Sequence, residues 1–216
     1  LTTYLLGHTA HFFESFLIAE QFIANDNVAL ILGDNIFYGI ENEPTIDFSN
    51  FKTGARVFAY QVPDPSRYGV IEFNNKNIVS IEEKPRKPKS KLAVTGLYYY
   101  DNKVINIAKN IKPSKRNELE ITDVNNSYIN MKNLEFTKLK NNVVWLDAGT
   151  PTSLLQASQF VQTIQERQQT NICCPEEAAF KKGFISLNQL ENIVASYPNN
   201  GYGNYLKNIV IEYKNN

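Results

Sequence analysis

An α/β fold follows from three features of the sequence. A helix-period stripe over residues 14–23 runs through Asn25-Asp26-Asn27 into an apolar run, Val28-Ala29-Leu30-Ile31-Leu32, which is one half of a βαβ unit. Several β-rich runs follow between turn signals, two of them spaced as a hairpin. From Pro151 onward the pattern becomes helical, so a sheet-bearing core over 1–150 carries a helical appendage over 151–216.

The run at 28–32 reads as a fully buried strand, because no polar residue interrupts it. It ends in Gly33-Asp34-Asn35, which puts a carboxylate at the C-terminal tip of a strand, where open α/β sheets bind ligands. The same Gly-Asp pair reads equally as a plain turn. Residues 40–53 are polar and carry weak structure signals. Residues 55–62 alternate as a strand, Asp64-Pro65-Ser66-Arg67 is a turn, and residues 68–73 and 78–82 flank Asn74-Asn75-Lys76-Asn77 as the inserted hairpin. A charged loop over 83–89 leads to a strand over 93–100. Helices are expected over 104–111 and 118–131, the second with Thr122 or Asp123 available as its cap. Strands over 134–139 and 143–146 follow, the latter ending in Asp147-Ala148-Gly149, the same apolar-run-then-Asp-then-Gly design. The helix over 152–169 carries an apolar stripe (Leu154, Leu155, Ala157, Phe160, Val161 and Ile164), and helices over 175–180, 187–194 and 202–211 complete the appendage. Residues 1–13 show no clear period.

Bulk properties narrow the function. Lys+Arg and Asp+Glu balance at 22 each, which provides no net field for nucleic acid or an anionic membrane. With 216 residues, 43% of them hydrophobic, the chain can build a substantial core without staples. The only cysteines, Cys173 and Cys174, are adjacent, which suits neither a disulfide nor a zinc framework and fits a reducing, cytoplasmic setting. No apolar run is long enough to span a bilayer.

Asp34 and Asp147 would converge if their strands lie side by side, and paired carboxylates there suit Mg²⁺; two unrelated turn aspartates are the plainer alternative. At Glu82-Glu83-Lys84-Pro85 a carboxylate could accept sugar hydroxyls and a lysine could meet a phosphate, although such charges are commonly solvated surface. Arg116 could add a forked phosphate contact. Gly69 and Gly96 mark either bulges or places where a ligand approaches the backbone. Trp145 reads as core or as a platform for a sugar face. His8 and His11 have no recognisable partners.

The ordered series Leu-Gly-Asp-Asn-Ile-Phe-Tyr-Gly (32–39), Asp-Pro-Ser-Arg-Tyr-Gly-Val (64–70), Ile-Glu-Glu-Lys-Pro (81–85), Ala-Val-Thr-Gly-Leu-Tyr-Tyr-Tyr-Asp (93–101), Glu-Leu-Glu-Ile-Thr-Asp-Val-Asn (118–125) and Trp-Leu-Asp-Ala-Gly-Thr (145–150) resembles the sugar nucleotidyltransferase family, in its glucose-1-phosphate thymidylyltransferase branch. The resemblance implies a Rossmann-like sheet, mixed and mostly parallel. It implies Asp34 and Asp147 as Mg²⁺ ligands, and Asn35, Gly69, Glu83, Lys84, Val94, Tyr98, Arg116 and Trp145 as the sugar-nucleotide pocket. The implied reaction joins dTTP and α-D-glucose 1-phosphate into dTDP-glucose and pyrophosphate, at the head of dTDP-L-rhamnose and O-antigen synthesis, in a cytoplasmic homo-oligomer.

Two departures accompany the likeness. The family's opening Gly-rich loop, G-x-G-T-R-L, has no match here, so no catalytic residue from it is assigned and little or no activity is expected of this chain alone. His11-Phe12-Phe13-Glu14 stands where the family reads the base with a Gly-Leu-Ala-Gln segment, and an ionised Glu14 can only accept hydrogen bonds where glutamine also donates. A non-catalytic sugar-nucleotide-binding or assembly subunit is the alternative.

Overall fold

A computed structural model describes residues 14–74, 77–112 and 120–215. Expectations placed on residues 1–13 and on Arg116 lie outside these residues. The chain divides into two compact units, Leu1–Ala148 and Gly149–Asn216.

In the first unit, the helical stripe forms α1 (Glu14–Ile18) and α2 (Glu20–Ile23), separated at Ala19, whose ψ of 8° leaves the helical range. Strand β1 (Val28–Ile31) leads through a turn to β2 (Asn35–Tyr38), and β3 (Ala55–Gln61) follows three short 3-10 turns. Strands β4 (Gly69–Asn74) and β5 (Asn77–Glu83) pair antiparallel as the expected hairpin. Then come β6 (Leu92–Tyr100), α3 (Lys103–Asn110), α4 (Ile121–Asn130), β7 (Leu134–Lys138) and β8 (Val144–Asp147). The main sheet runs β5-β4-β6-β3-β7 with β1 also on β6, while β2 and β8 form a separate antiparallel ribbon. The sheet is mixed, as expected. Its parallel content differs from expectation: among the described residues only β3 and β7 pair in parallel. Strand β6 runs antiparallel to β1, β3 and β4, so the central ladder is antiparallel.

The strand buried on both faces is β6, not β1. Tyr98 and Tyr100 enter a core with Val57, Ala59, Ile71, Ile81, Val104, Val124 and Tyr128. Their neighbours Leu97 and Tyr99 enter a second core on the other face with Phe51, Phe58, Leu139 and Val143. A strand with a core on each face needs an unbroken apolar run, which explains Leu97-Tyr98-Tyr99-Tyr100. In β1, Val28 and Leu30 pack against the first core, whereas Ala29 is exposed and Ile31 remains 59% exposed. An apolar run cannot by itself distinguish one covered face from two.

The expected cap of α4 is also corrected. Its N-cap position is Glu120, with no side-chain capping bond, and Thr122 is buried with its hydroxyl turned to Glu83.

The second unit contains α5 (Pro151–Gln168), α6 (Pro175–Lys181), α7 (Leu187–Ala195) and α8 (Gly201–Asn215). Reciprocal capping boxes start α5 at Thr150/Ser153 and α7 at Ser186/Gln189. Its core joins Cys174, Leu190, Val194, Leu206, Ile209 and Val210. Of the apolar stripe on α5 only Ala157 is buried; Leu154 and Leu155 are exposed. Both cysteines are free. No helix among the described residues is long and apolar enough to cross a membrane.

Candidate active site at the β6 bulge

The site begins with an irregularity in β6. Val94 pairs with Ala59 and Tyr98 with Val57, so Thr95, Gly96 and Leu97 lie opposite the single residue Phe58. Thr95 satisfies the interrupted ladder by donating its hydroxyl to the Phe58 carbonyl at 2.9 Å. The bulge also divides the opposite edge of β6. Ala93 pairs with β4, and residues 97–100 pair with β1. Between these partners a cleft of about 280 Å³ opens, its floor at Gly96. Of the two readings of Gly96, the bulge is the one observed.

Each wall is delivered by a separate element. The β1–β2 turn brings Asp34 and Asn35; β4 and the 3-10 turn before it bring Arg67, Tyr68 and Gly69; the end of β5 brings Glu83 and Lys84. The first two turns of α4 add Thr122 and Asn125, and β8 adds Trp145 and Asp147. Every sequence-predicted site residue within the described range lines this one cavity: Asp34, Asn35, Gly69, Glu83, Lys84, Val94, Tyr98, Trp145 and Asp147.

The two aspartates are neighbours through backbone pairing. Asn35 is opposite Asp147 in the β2–β8 ribbon, and the Ala148 N–H donates to the Asp34 carbonyl at 2.8 Å. Asp34 sits in the turn after β1 rather than at the strand's last residue. Among the described residues no three His, Cys, Asp or Glu side chains cluster as a metal cage. Two carboxylates on an open cleft suit a hard ion that keeps several waters and draws further oxygens from a phosphate, as Mg²⁺ does.

Around Asp147, the Arg67 guanidinium approaches to 3.7 Å and lies over the Tyr68 ring. Burial raises the Tyr68 phenol above its ordinary value; Arg67 opposes this, and the adjacent Asp147 carboxylate, hydrogen-bonded to the hydroxyl, reinforces it. On the opposite wall Thr122 donates to Glu83 Oε2 at 2.7 Å. A Cβ on Gly69 would stand 3.2 Å from that oxygen and 3.4 Å from the Thr122 hydroxyl, so the bare backbone leaves the pair its room. Lys84 turns off β5 with φ 45°, a left-handed conformation that costs an L-residue about 1 kcal/mol. Its N–H is tied to the Tyr68 carbonyl at 3.0 Å. Trp145 is 8% exposed and packs on Tyr60 and Tyr68, so it is both core and cleft wall.

Thr122, Asn125, Arg67 and Tyr68 are cleft residues that sequence reasoning left in a helix cap, a helix, a turn and a strand. The hairpin register contained a usable signal. Gly69 pairs with Glu83, which makes both ends of the hairpin one wall.

Comparison with known proteins agrees with this architecture. Residues 9–164 match the model of the family described as "Nucleotidyl transferase". The chain is 50% identical over 195 residues to a glucose-1-phosphate thymidylyltransferase of Neisseria meningitidis, covering 89% of this chain and 68% of that one. It is 48% identical over 194 residues to the corresponding protein of Mycolicibacterium smegmatis, covering 89% and 67%. A Bacillus anthracis crystal structure assigned to the same activity, in complex with a sucrose, superposes with a TM-score of 0.64 at 42% identity, over 74% of this chain and 64% of that one. A UDP-glucose pyrophosphorylase complexed with UDP-glucose superposes with a TM-score of 0.60 at 25% identity, over 70% and 62%. The chain thus spans about two thirds of the length of these relatives. On sequence and fold together, it belongs to the nucleotidyl transferase family, among the glucose-1-phosphate thymidylyltransferases.

Proposed function

We propose that the β6 cleft is the sugar-phosphate and cation-holding part of a thymidylyltransferase site, which transfers dTMP from dTTP to α-D-glucose 1-phosphate and releases pyrophosphate. One observation carries this reading: nine residues, scattered from Asp34 to Asp147, line one cavity at the point where two strands part on β6. In this reading Glu83, steadied by Thr122, accepts sugar hydroxyls, and Lys84 meets the sugar phosphate as a point charge. Val94, Tyr98, Gly69 and Trp145 shape the sugar end. Arg116, outside the described residues, adds a phosphate contact.

The reaction is an in-line displacement. An oxygen of the sugar phosphate forms a bond to the α-phosphorus of dTTP while the bond to the pyrophosphate oxygen breaks. Asp34 and Asp147 would hold Mg²⁺, which supplies charge screening for the crowded anions. The chain's own residues orient the acceptor: Lys84 lowers the repulsion between approaching phosphates, and the sugar contacts fix the attacking oxygen. A cytoplasmic homo-oligomer feeding dTDP-L-rhamnose and O-antigen synthesis is the setting that goes with this reading.

Calorimetric titration with dTDP-glucose and Mg²⁺ tests the cleft, and pyrophosphate release from dTTP and glucose 1-phosphate tests the transfer. Binding should weaken about tenfold in Glu83→Gln, the loss of one charge-assisted hydrogen bond. Absence of binding, or binding indifferent to Glu83 and Lys84, would overturn the assignment. Binding without pyrophosphate release would favour a sugar-nucleotide-binding subunit.

A further inference from the structure

The Asn35 carboxamide is held at three points. Its Oδ1 accepts the Gly96 N–H at 2.9 Å and the Trp145 Nε1–H at 2.6 Å, and its Nδ2 donates to Asp34 Oδ1 at 2.7 Å. Backbone amide and indole nitrogens only donate. The end of the carboxamide that faces them must therefore be the oxygen, which leaves the amino group facing the carboxylate. The seat is close-fitting as well: a Cβ on Gly96 would stand 2.6 Å from Asn35 Cγ and 2.7 Å from both terminal atoms. The Gly96 carbonyl accepts the Leu32 N–H at 2.8 Å, so the bulge leaves the Gly96 N–H to seat this one side chain.

We propose that Asn35 is a positioning residue for Asp34, oriented by Trp145 and Gly96. The donated bond ties one carboxylate oxygen, restricts rotation of the Asp34 side chain and leaves the second oxygen for a divalent cation. This inference rests on the reading of Asp34 as a cation ligand.

Trp145 is the only tryptophan of the chain, so intrinsic fluorescence reports on one side of this triad. The experiment titrates the full chain with Mn²⁺, read by quenching of Trp145 and by the electron paramagnetic resonance signal of the free ion, with Mg²⁺ as competitor. Saturable binding is expected in the unmodified chain and its loss in Asp34→Asn. Asn35→Ala should weaken Mn²⁺ binding about five- to tenfold, the scale of one charge-assisted hydrogen bond plus lost orientation. Gly96→Ala, which crowds the carboxamide without removing a polar group, should weaken it similarly, and the double variant should be no weaker than Asn35→Ala alone. Trp145→Phe, followed by resonance, should lose about two- to fivefold. A residue that merely supported the fold would shift melting temperature in these variants without this non-additive pattern in Mn²⁺ affinity. If Gly96→Ala does not fold, Asn35→Ala and Trp145→Phe still decide the matter. Unchanged Mn²⁺ affinity in both, with loss in Asp34→Asn, would overturn the positioning role and leave the cation reading standing. Unchanged affinity in Asp34→Asn would overturn the cation reading beneath it.

Discussion

Two aspartates of the same unit, Asp101 and Asp34, show how a carboxylate is committed to structure or left for chemistry. Asp101 follows β6 directly and is saturated. It accepts the Gly54 N–H at 2.8 Å, the Thr53 hydroxyl at 3.1 Å, the Tyr128 hydroxyl at 2.7 Å and the Lys103 N–H at 3.2 Å. Asp34 lies on the cleft and takes one donor among the described residues, Asn35 Nδ2. Both sit beside apolar strands, and both would be read as turn residues from their neighbours alone. What separates them is the number of donors that folding brings to their oxygens. A saturated carboxylate fastens the loop before β3 to the start of α3, whereas one with spare lone pairs can still bind a ligand.

The largest expected effects come from removing each in turn. Asp101→Ala orphans two buried donors, the Gly54 N–H and the Tyr128 hydroxyl, and should cost about 3 kcal/mol of unfolding free energy in a urea titration. Asp34→Ala should change stability by less than about 1 kcal/mol, as surface changes usually do. It should nevertheless abolish the response of the chain to Mn²⁺. If the two variants exchanged these outcomes, donor count would not be the distinguishing property.

A smaller effect concerns the Glu83 wall of the cleft. Thr122→Val keeps the side chain's shape and removes only the hydroxyl that faces Glu83, so dTDP-glucose affinity should fall about fivefold, near 1 kcal/mol. Gly69→Ala should act on the same pair through crowding, and combining the changes should give less than their sum, because both reach the ligand through Glu83. Full additivity in calorimetric affinities would show that they act separately.

Thr122 also shows where the sequence stopped being legible. A threonine near a helix start is a capping signal, and nothing local indicates that the end of β5 will lie beside that helix. The same limit explains β1 and β6. Each is an apolar run, and only the count of covering layers, a tertiary fact, makes one half-exposed and the other buried on both faces. Asp34, Glu83, Lys84 and Asp147 each had a plain reading as a turn or as solvated charge, and what picked them out was the ordered set of motifs that resembles the family rather than any one residue. Arg67 was not picked out, since its turn accounts for it fully. Asn35 was read as a pocket residue, but its bonds to Gly96 and Trp145 depend on a bulge that the alternation of β6 does not reveal.

The smallest effect concerns acid, where Asp101 and Asp123 should respond with opposite signs. Burial alone would raise the Asp101 carboxyl, but the donors from Gly54, Tyr128 and Thr53, helped by Lys103, hold it below its ordinary value of 3.8. The unfolded chain then binds the proton more readily, so the contribution of Asp101 is present above that value and is lost as pH falls through the folded one. For Asp123, burial raises the carboxyl above 3.8, and repulsion from Glu120 and Glu83 adds to the rise. Here the folded chain holds the proton more tightly. Its contribution is fully present below 3.8 and is lost as pH rises through the raised value. Urea unfolding measured from about pH 3 to pH 6 should therefore show a shallower acid loss in Asp101→Asn and a gain at the upper end in Asp123→Asn. Parallel profiles for the two variants would mean that the donors around Asp101 do not favour its charged form, and the contrast between a saturated carboxylate and a crowded one would fail.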